Sequence, residues 1–467
     1  MDSLPPLGCR SQDYSYSSSH HTQDAINRRR SQVDAFIGMA AGGTNGHGST
    51  QDRMIAVSTI TRRAALACGA SLLPLSDQTF GAEKLPPHLA SKKKVAAIVT
   101  EYRHWSHADV IVGRLLGGYS AEGVWSESRS RVVSMYTDQV PEGRDMSRDL
   151  AARFGFKIYP SVSQALTQGG TDMAVDAVAL VGEHGDYPTN DLGQKLYPRY
   201  ELFSQIMDVL EHAGRPIPVF IDKHFSYSWE KAAEMYRRAR QLRLPLMAGS
   251  SIPVTVRTPA LEIPAGASLT HAVAVGYGDH DAYGFHTLEC LQCMVERRAG
   301  GETGVKAVEW IPASQSLDWL NGRGAWAKPL LELALQAAPR KIAPLEQEAA
   351  GSVIFSVTYL DGLEAACLMQ ARGSHWTFAT HINRRQPVAT YFGSQKAARP
   401  LPHFDGLVRC IDEMFVTGRE PWPVERTLLT TGILAFLFQS KKAGCKLETP
   451  ALTLRYTPPE RAYFQGA

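Results

Sequence analysis

The strongest constraint on the fold is the regular alternation of short apolar runs and amphipathic segments between Lys94 and Ser251. The runs VAAIVT, VDAVALVG and PVFIDK are apolar over the length of one strand, which is typical of strands buried on both faces of a parallel sheet. Intervening segments such as HADVIVGRLLGGY and SWEKAAEMYRRARQLR carry apolar residues at helical spacing. This alternation predicts an α/β domain over residues 92–250 with a Rossmann-like, doubly wound parallel sheet.

After Ser251 the pattern changes to longer alternating segments, including IPVTVRT, HAVAVGYG, GSVIFSVTYLDG and WTFATHIN. Short turns such as YLDGLEA join them. The pattern predicts a second α/β domain over residues 251–467, with a mostly antiparallel open sheet and helices on one face.

Polar residues concentrate where the strands of the first domain end. Ligands of such sheets bind beyond the carboxyl ends of the strands, so we expect functional residues just after Thr100, Tyr136, Val181 and Ile221. The polar residues at these ends and in the second domain are Glu101, His104, His107, Asp109, Glu183, His184, Asp186, His280, Asp281 and His286. They indicate either the lining of a sugar pocket or ligands of a divalent metal. Since no HExxH-type spacing occurs among them, we assign no metal ligand.

The N-terminal part differs from the rest of the chain in its composition. Residues 1–53 are rich in Ser, Gly, His and Gln without a helical or strand period, which predicts a disordered extension. Residues 54–82 place Arg62 and Arg63 before the apolar stretch Ala64–Leu75, as in a twin-arginine export signal. The alternative is an ordinary helix with two surface arginines. Because an export signal is terminal, we expect Met54 to be the true start and the mature protein to be periplasmic or secreted.

Composition argues against several classes of protein. The chain has 49 Lys+Arg and 46 Asp+Glu and contains no long basic block, so we expect no nucleic-acid partner. No apolar run reaches the ~18 residues of a membrane-spanning helix, so we expect no stable insertion of the mature chain. The sparse cysteines are not a disulfide framework. Cys290 and Cys293 form one CxxC without a second pair, which favours the buried face of a helix over a zinc site.

Two long segments resemble the Gfo/Idh/MocA-type oxidoreductases. They are GRPIPVFIDKHFSYSWEKAAEMYRRARQLRLPLMAGSS and FDGLVRCIDEMFVTGREPWPVERTLLTTGILAFLFQSKKAGCKLETP, and the resemblance extends from Lys94 to Tyr456. It implies an N-terminal nucleotide-binding domain, an NAD cofactor and a carbohydrate or polyol substrate. It also implies a homo-oligomer, since the open face of the family's second sheet often forms the contact between subunits.

The resemblance places Lys223 at the family's motif lysine, which touches the nicotinamide and the reacting hydroxyl. An ammonium at that point stabilises a developing alkoxide. Here the motif reads Asp222-Lys223-His224, with aspartate in place of glutamate and histidine in place of proline. The alternative is a solvated lysine at a strand end.

His286 lies in GDHDAYGFHTLECL, which resembles the family's Asp-x-Gly-x-His segment at the start of a helix. The resemblance implies that His286 relays the proton of the hydroxyl, as a histidine can near neutral pH. The motif acid position holds Ala282, and Asp281 lies one residue away. Either Asp281 takes the role of the acid or the acid is missing. The alternative for His286 is a structural histidine.

The expected cofactor site departs from the family at its phosphate loop. The turn from Thr100 to His107 contains no glycine, so backbone amides cannot closely approach a pyrophosphate. We expect Arg103 and His104 to supply side-chain contacts instead. Asp138 ends the second strand, where an acidic residue binds the ribose hydroxyls and favours NAD over NADP.

The sequence is compatible with three classes of function. The first is an exported NAD-dependent oxidoreductase acting on a hydroxyl of a carbohydrate or polyol. The second is a lyase or glycoside-cleaving relative with tightly held NAD or a metal, which the loss of the glycine loop favours. The third is a non-catalytic carbohydrate-binding descendant, which the missing acid at Ala282 favours.

The export signal gives the first testable prediction. Replacing Arg62 and Arg63 together by lysine should trap the precursor in the cytoplasm, because twin-arginine export depends on the arginine pair. Cell fractionation with immunoblotting of the wild type and the double variant measures this. Normal export of the double variant would overturn the assignment to that route.

Overall fold

A computed structural model describes residues 91–121, 123–339, 343–393 and 401–464. The predictions for residues 1–53 and 54–82 lie outside these ranges, and the predicted domain boundaries stay predictions. No helix in the described ranges is both long enough and apolar enough to cross a bilayer.

The alternating segments form the predicted doubly wound sheet. Its strands are β1 (Lys93–Glu101), β4 (Ser130–Gln139), β5 (Lys157–Ile158), β6 (Ala177–Val181), β7 (Val219–Asp222) and β8 (Leu246–Gly249). All neighbouring pairs are parallel, in the order β5-β4-β1-β6-β7-β8. The connecting helices are α1 (His107–Gly117), α2 (Ser147–Phe154), α3 (Val162–Thr167), α4 (Arg199–Ala213) and α5 (Trp229–Gln241). The winding reverses between β1 and β6, which makes the crevice at their carboxyl ends the expected ligand site.

A small hairpin follows α1 that the sequence did not predict. It consists of β2 (Tyr119–Ala121) and β3 (Val124–Ser126). Its strands are too short to give a recognisable alternation, and the side chain of Trp125 is largely exposed.

The second sheet is mostly antiparallel, as predicted. Its strands are β9 (Arg257–Thr258), β10 (His271–Tyr277), β11 (Val305–Ile311), β12 (Val353–Tyr359), β13 (Glu364–Gln370), β14 (Trp376–His381), β15 (Pro387–Phe392) and β16 (Leu447–Glu448). The order is β16-β11-β12-β13-β10-β14-β15-β9, with one parallel pair, β10 and β13, among the described strands. The segment IPVTVRT forms a 3-10 turn at Ile252–Val254 and the two-residue β9 instead of the predicted long strand. Pro253 cannot donate to a ladder, which accounts for the difference.

The expectation of helices on one face of this sheet is wrong. Helices α6 (Ala282–Val295) and α11 (Glu425–Ala443) pack on one face, against residues such as Ala274 and Phe355. Helices α7 (Ser316–Asn321), α8 (Lys328–Gln336) and α9 (Leu345–Ala349) pack on the other, against Val273, Val275 and Leu368. Alternate residues of β10 therefore enter two separate apolar cores. Since α8 covers β10, β14 and β15, that part of the face is not open for a subunit contact. The predicted homo-oligomer stays a prediction.

Helix α6 connects the two domains. Twelve of its residues are buried, including Cys290 and Cys293, which confirms the prediction for the CxxC pair. The buried Glu289 accepts the backbone N–H of Ser250, next to β8, at 2.6 Å. Thr427 on α11 donates to the carbonyl of Ala248 in β8 at 2.8 Å. The remaining long helix, α10 (His403–Thr417), packs against α1.

The close contact of α6 with β10 gives a stability prediction. A Cβ on Gly276 would lie 1.8 Å from Oγ1 of Thr287, which is fixed by its hydrogen bond to the carbonyl of Tyr283. We therefore expect Gly276→Ala to lower the free energy of unfolding by about 1–3 kcal/mol through overpacking. Chemical denaturation followed by circular dichroism measures this. Gly117→Ala is the control, because a Cβ on this exposed glycine meets no described atom within 4 Å; equal stability of the two variants would contradict the prediction.

Candidate active site

A cavity of about 580 Å³ lies where the carboxyl edge of the first sheet meets the N-terminal end of α6. The first domain contributes His107, Glu183, His184 and Lys223, and the second contributes Asp281 and His286. The predicted catalytic residues Lys223, Asp281 and His286 thus line one cavity. The position of the cavity agrees with the rule that ligands of doubly wound sheets bind beyond the carboxyl ends of the strands.

Lys223 is held in the cavity wall by a buried ion pair. Its side chain is only 4% exposed, and Nζ donates to Oε1 of Glu183 at 2.8 Å. Its backbone has φ of 62°, and its N–H donates to the carbonyl of Gly249 at 3.1 Å. A non-glycine residue in this left-handed region is strained, so the surrounding contacts must hold it there. Burial excludes the alternative of a solvated lysine at a strand end.

Glu183 joins two cations. Its Oε2 accepts from Nη2 of Arg199, the first residue of α4, which is itself buried. Burial by itself would raise the pKa of Glu183, but Lys223, Arg199 and His107 outweigh it and hold the pKa well below its usual value. Glu183 is therefore a carboxylate at neutral pH.

The path of the Arg199 side chain depends on a glycine. A Cβ on Gly182 would lie 2.7 Å from Cγ of Arg199. The guanidinium also lies beside His224, with Nη1 3.3 Å from Nε2 of the imidazole. Burial, with the charge of Arg199, lowers the pKa of His224 well below its usual value, so His224 stays neutral.

His107, at the start of α1, pairs with the last residue of β7. Its Nδ1 lies 2.7 Å from Oδ2 of Asp222, whose side chain is completely buried. The imidazole makes edge contacts with the rings of His184 and Phe404, with both pairs of centroids 5.3 Å apart. This pair joins the helix after β1 to the end of β7, directly before Lys223.

Asp281 and His286 lie in the first two turns of α6 and its N-cap, but the structure does not pair them. Oδ2 of Asp281 accepts the backbone N–H of Lys195 at 2.9 Å, and its other oxygen has no hydrogen-bond partner among the described residues. Burial raises the pKa of Asp281 to about 6. Burial, with the charge of Lys223 and the neighbouring His107, lowers the pKa of His286 well below its usual value.

Aromatic rings from the second sheet and α6 form another wall. The rings of Tyr283 and Trp376 stack with an interplanar angle of 17°, and Tyr277 lies 4.7 Å from Trp376 between centroids. All three residues line the cavity. Flat rings beside polar groups suit a ligand with both apolar and hydroxyl-bearing faces.

The predicted cofactor residues lie along the β1 and β4 side of the crevice. In the glycine-free turn, Trp105 takes the left-handed conformation, with φ of 61°. The start of α1 is capped from within the chain, because Oγ of Ser106 accepts the N–H of Asp109, and Oδ2 of Asp109 accepts the N–H of Trp105. Arg103 donates to the carbonyl of His104 at 3.1 Å. The side chain of His104 is largely exposed.

The segment after β6 crosses to the ends of β1 and β4. Thr100 donates to the carbonyl of Glu183 at 2.8 Å, and Nη2 of Arg103 lies 3.2 Å from Nδ1 of His184. Further along, the hydroxyl of Tyr187 donates to Oδ2 of Asp138 at 2.5 Å. The other oxygen of Asp138 accepts from Tyr136 at 2.8 Å.

The remaining polar residues singled out in the sequence serve other purposes. Glu101 lies 2.9 Å from Nε of Arg144, and His280 contacts the ring of Trp310. Asp186 is bound through its backbone to the side chain of Gln139. Within the described ranges, no group of three or more His, Cys, Asp or Glu side chains is arranged to hold a metal ion.

Several cavity residues were missed by sequence reasoning. They are Tyr197, Tyr277, Tyr283, Trp376 and His403, together with Arg199, which lies behind the cavity wall and binds Glu183. Arg199 sits in PRYELF, where nothing distinguishes it from a surface arginine at a helix start. The aromatic residues come from distant segments, and only the packing of the second domain against the first brings them together.

Comparisons with known proteins give distant structural likenesses only. No family model and no curated protein matches the chain. GenD2 from gentamicin A biosynthesis, solved in complex with NAD, is 15% identical with a TM-score of 0.48, covering 79% of this chain and 99% of that chain. Myo-inositol 2-dehydrogenase from Lactobacillus plantarum is 10% identical with a TM-score of 0.47, covering 76% and 99%. Biliverdin reductase from a Synechocystis species, in complex with biliverdin and NADP+, is 12% identical with a TM-score of 0.42, covering 74% and 98%. Likenesses this distant carry no statement about the activity of this chain.

The buried carboxyl of Asp281 gives a pH prediction. Burial raises its pKa from 3.8 to about 6, so ionisation of Asp281 lowers the free energy of unfolding. This decrease is complete above pH 6 and disappears as the pH falls toward 4. Asp281→Asn removes this cost and keeps an acceptor for Lys195. We expect the variant to exceed the wild type in unfolding free energy by up to about 3 kcal/mol at pH 8, with the difference disappearing near pH 4.

Denaturant titrations at several pH values measure this difference, and Asp191→Asn, which removes an exposed charge, is the control. A difference between Asp281→Asn and the wild type that does not change with pH would contradict the prediction.

Proposed function

We propose that this protein is an oxidoreductase that uses NAD to oxidise or reduce a hydroxyl-bearing carbon of a carbohydrate or polyol. The observation that carries the proposal is the buried ammonium of Lys223, fixed at the carboxyl edge of a Rossmann-like sheet inside a cavity shared by both domains. Its place matches the motif lysine of the Gfo/Idh/MocA-type oxidoreductases that the sequence resembles.

The lining of the cavity supports a polyhydroxylated substrate. Buried polar atoms without a partner among the described residues include Nε2 of His184, Oδ1 of Asp281 and Nδ1 of His286. A buried polar group without a partner costs about 1–3 kcal/mol, which hydroxyl groups of a ligand would relieve. The stacked rings of Tyr283 and Trp376 offer a surface for the apolar face of a sugar or cyclitol.

The residues of the chain define the chemistry at the reacting hydroxyl. Lys223 supplies a fixed positive charge from a side chain that is only 4% exposed, and such a charge would stabilise negative charge on the substrate oxygen. Glu183 and Arg199 hold that ammonium in place, so it needs little reorganisation during the reaction. His286 is neutral, and its imidazole can accept or donate a hydrogen bond to orient the substrate.

The residues that would hold NAD differ from those of a glycine-rich site. Asp138 lies at the end of β4, where it would accept the ribose hydroxyls in place of the hydroxyl of Tyr187. Arg103 and His104 are the side chains nearest in sequence to the expected pyrophosphate. When bound, NAD would supply the acceptor for a hydride.

The self-capped turn before α1 favours a second candidate function. Ser106 and Asp109 already occupy N–H groups that a pyrophosphate would use, and the Asp109 carboxylate opposes an anion there. Carbohydrate binding or a lyase reaction in the same cavity does not require a dinucleotide to bind and leave in each cycle.

We also propose export of the mature chain, on the basis of Arg62 and Arg63.

The decisive experiment measures NAD binding and turnover together. Calorimetry with NAD and NADP on the purified full chain is followed by NADH formation on a panel of inositols and hexoses. We expect NAD to bind more tightly than NADP, because the Asp138 carboxylate repels a 2′-phosphate. Binding of neither dinucleotide at millimolar concentration would overturn the oxidoreductase proposal in favour of the second candidate.

Lys223→Ala tests the role of the ammonium. We expect a loss of at least ~10²-fold in turnover, the range for removing one group that stabilises transition-state charge. Lys231→Ala is the control, because that lysine pairs with Glu201 on the helices outside the cavity. Turnover by Lys223→Ala equal to that of the control would contradict the assigned role.

A further inference from the structure

The histidines that line the cavity differ in the charge of their neighbours. Burial lowers the pKa of His184 and of His403 to about 4, and a nearby arginine acts in the same direction on each. Burial also lowers the pKa of His286, with Lys223 and His107 adding to the effect. These imidazoles are neutral at pH 7 and are poor proton acceptors.

His107 has a carboxylate as its direct partner. Its Nδ1 lies 2.7 Å from Oδ2 of Asp222, and the aspartate is completely buried. A carboxylate in this position holds the proton on Nδ1 and leaves Nε2 as the basic nitrogen. It also stabilises the positive charge that appears when Nε2 takes up a proton. No hydrogen bond to Nε2 comes from any residue in the described ranges, and the imidazole lines the cavity.

We infer that His107 is the acid–base residue of the site and that Asp222 is its positioning residue. This inference rests on the proposed function and deepens it. It assigns proton transfer to His107 and Asp222 of the first domain, of which Asp222 directly precedes Lys223, and leaves His286 to orient the substrate. The sequence could not single out this pair, because His107 and Asp222 are 115 positions apart.

The proton and electrons balance with the co-reactant of the proposed function. In the oxidation direction, the O–H bond of the substrate breaks and its proton passes to Nε2 of His107. The electron pair of the adjacent C–H bond leaves as a hydride to the oxidised dinucleotide, and the C–O single bond becomes a carbonyl. Lys223 stabilises the oxygen while its charge changes. In reduction, His107 returns the proton.

Charged and titratable side chains lie near His107 on each of the neighbouring elements. Asp222 and Lys223 lie at the end of β7, and Glu183 and His184 follow β6. The remaining neighbours are His286 on α6 and His403 on α10, which are both neutral at pH 7. The Asp222 carboxylate is in direct contact, while the charge of Glu183 is shared between two cations. Asp222 is therefore the group that controls the proton on His107.

Nitrogen NMR of histidine tests the pair without any substrate. In ¹⁵N-histidine-labelled full-length protein, two-bond nitrogen–proton correlations distinguish the Nδ1–H from the Nε2–H tautomer, and His107→Gln identifies the signal. We expect the Nδ1–H tautomer in the wild type and its loss in Asp222→Asn. An Nε2–H tautomer in the wild type, or no change in Asp222→Asn, would overturn the inference, and the wild-type spectrum decides even if that variant fails to fold.

Kinetics tests the role in catalysis. On the substrate that the wild type turns over best, we expect His107→Gln to lose about 10²–10⁴-fold in turnover. We also expect it to lose the acidic limb of the pH profile, which a merely structural role would not remove. His212→Gln, a change on the exposed last turn of α4, is the control. An unchanged pH profile in His107→Gln overturns the inference, whereas absence of NAD binding in the wild type overturns the proposed function.

Discussion

The rest of the site depends on the ion pairs that the buried carboxylate of Glu183 forms with Lys223 and Arg199. Glu183 follows β6, and it binds Lys223 after β7 and Arg199 at the start of α4, so three parts of the first domain meet at one side chain. Removing one partner of such a buried pair typically costs about 3–5 kcal/mol, because the other charge stays buried without compensation. The strained backbone of Lys223 and the missing side chain of Gly182 both serve this arrangement. The charge of Lys223 and the local stability of the sheet edge therefore depend on the same contacts.

Helix α6 gives the cavity its second half. It is buried between the second sheet and the last strands of the first domain, and Glu289 binds the backbone after β8 from within that interface. Burial raises the pKa of Glu289 to about 7, so its carboxyl is partly protonated at neutral pH. Both domains thus form the cavity. The contact between them at α6 consists of apolar packing and hydrogen bonds. Such an interface fixes the distance between Lys223 and His286 more firmly than a flexible linker would.

The sequence predicted both sheets because each has a periodicity of its own, continuous in the first and alternating in the second. It also placed Lys223 and Glu183 correctly at strand ends, since parallel strands bring their carboxyl ends to one edge. It did not predict the helices on the second face of the antiparallel sheet, where β10 is apolar on both sides and alternation no longer separates core from solvent. The sequence did not single out Arg199 or Trp376 either, because only tertiary packing decides which arginine binds a buried carboxylate and which tryptophan lines a cavity.

The same packing affects the NAD site that we propose, because the chain has no phosphate-loop glycines. The segment after β6 forms its own hydrogen bonds in this crevice, and the contact between Tyr187 and Asp138 lies where the adenosine ribose of the proposed NAD would bind. A ribose hydroxyl that replaces the Tyr187 hydroxyl exchanges one hydrogen bond for another, and the net gain of such an exchange is small. Asp138 keeps its bond from Tyr136 in either case. If NAD binds as proposed, we expect its affinity to come from charged side chains such as Arg103 and from contacts beside Lys223, rather than from backbone amides.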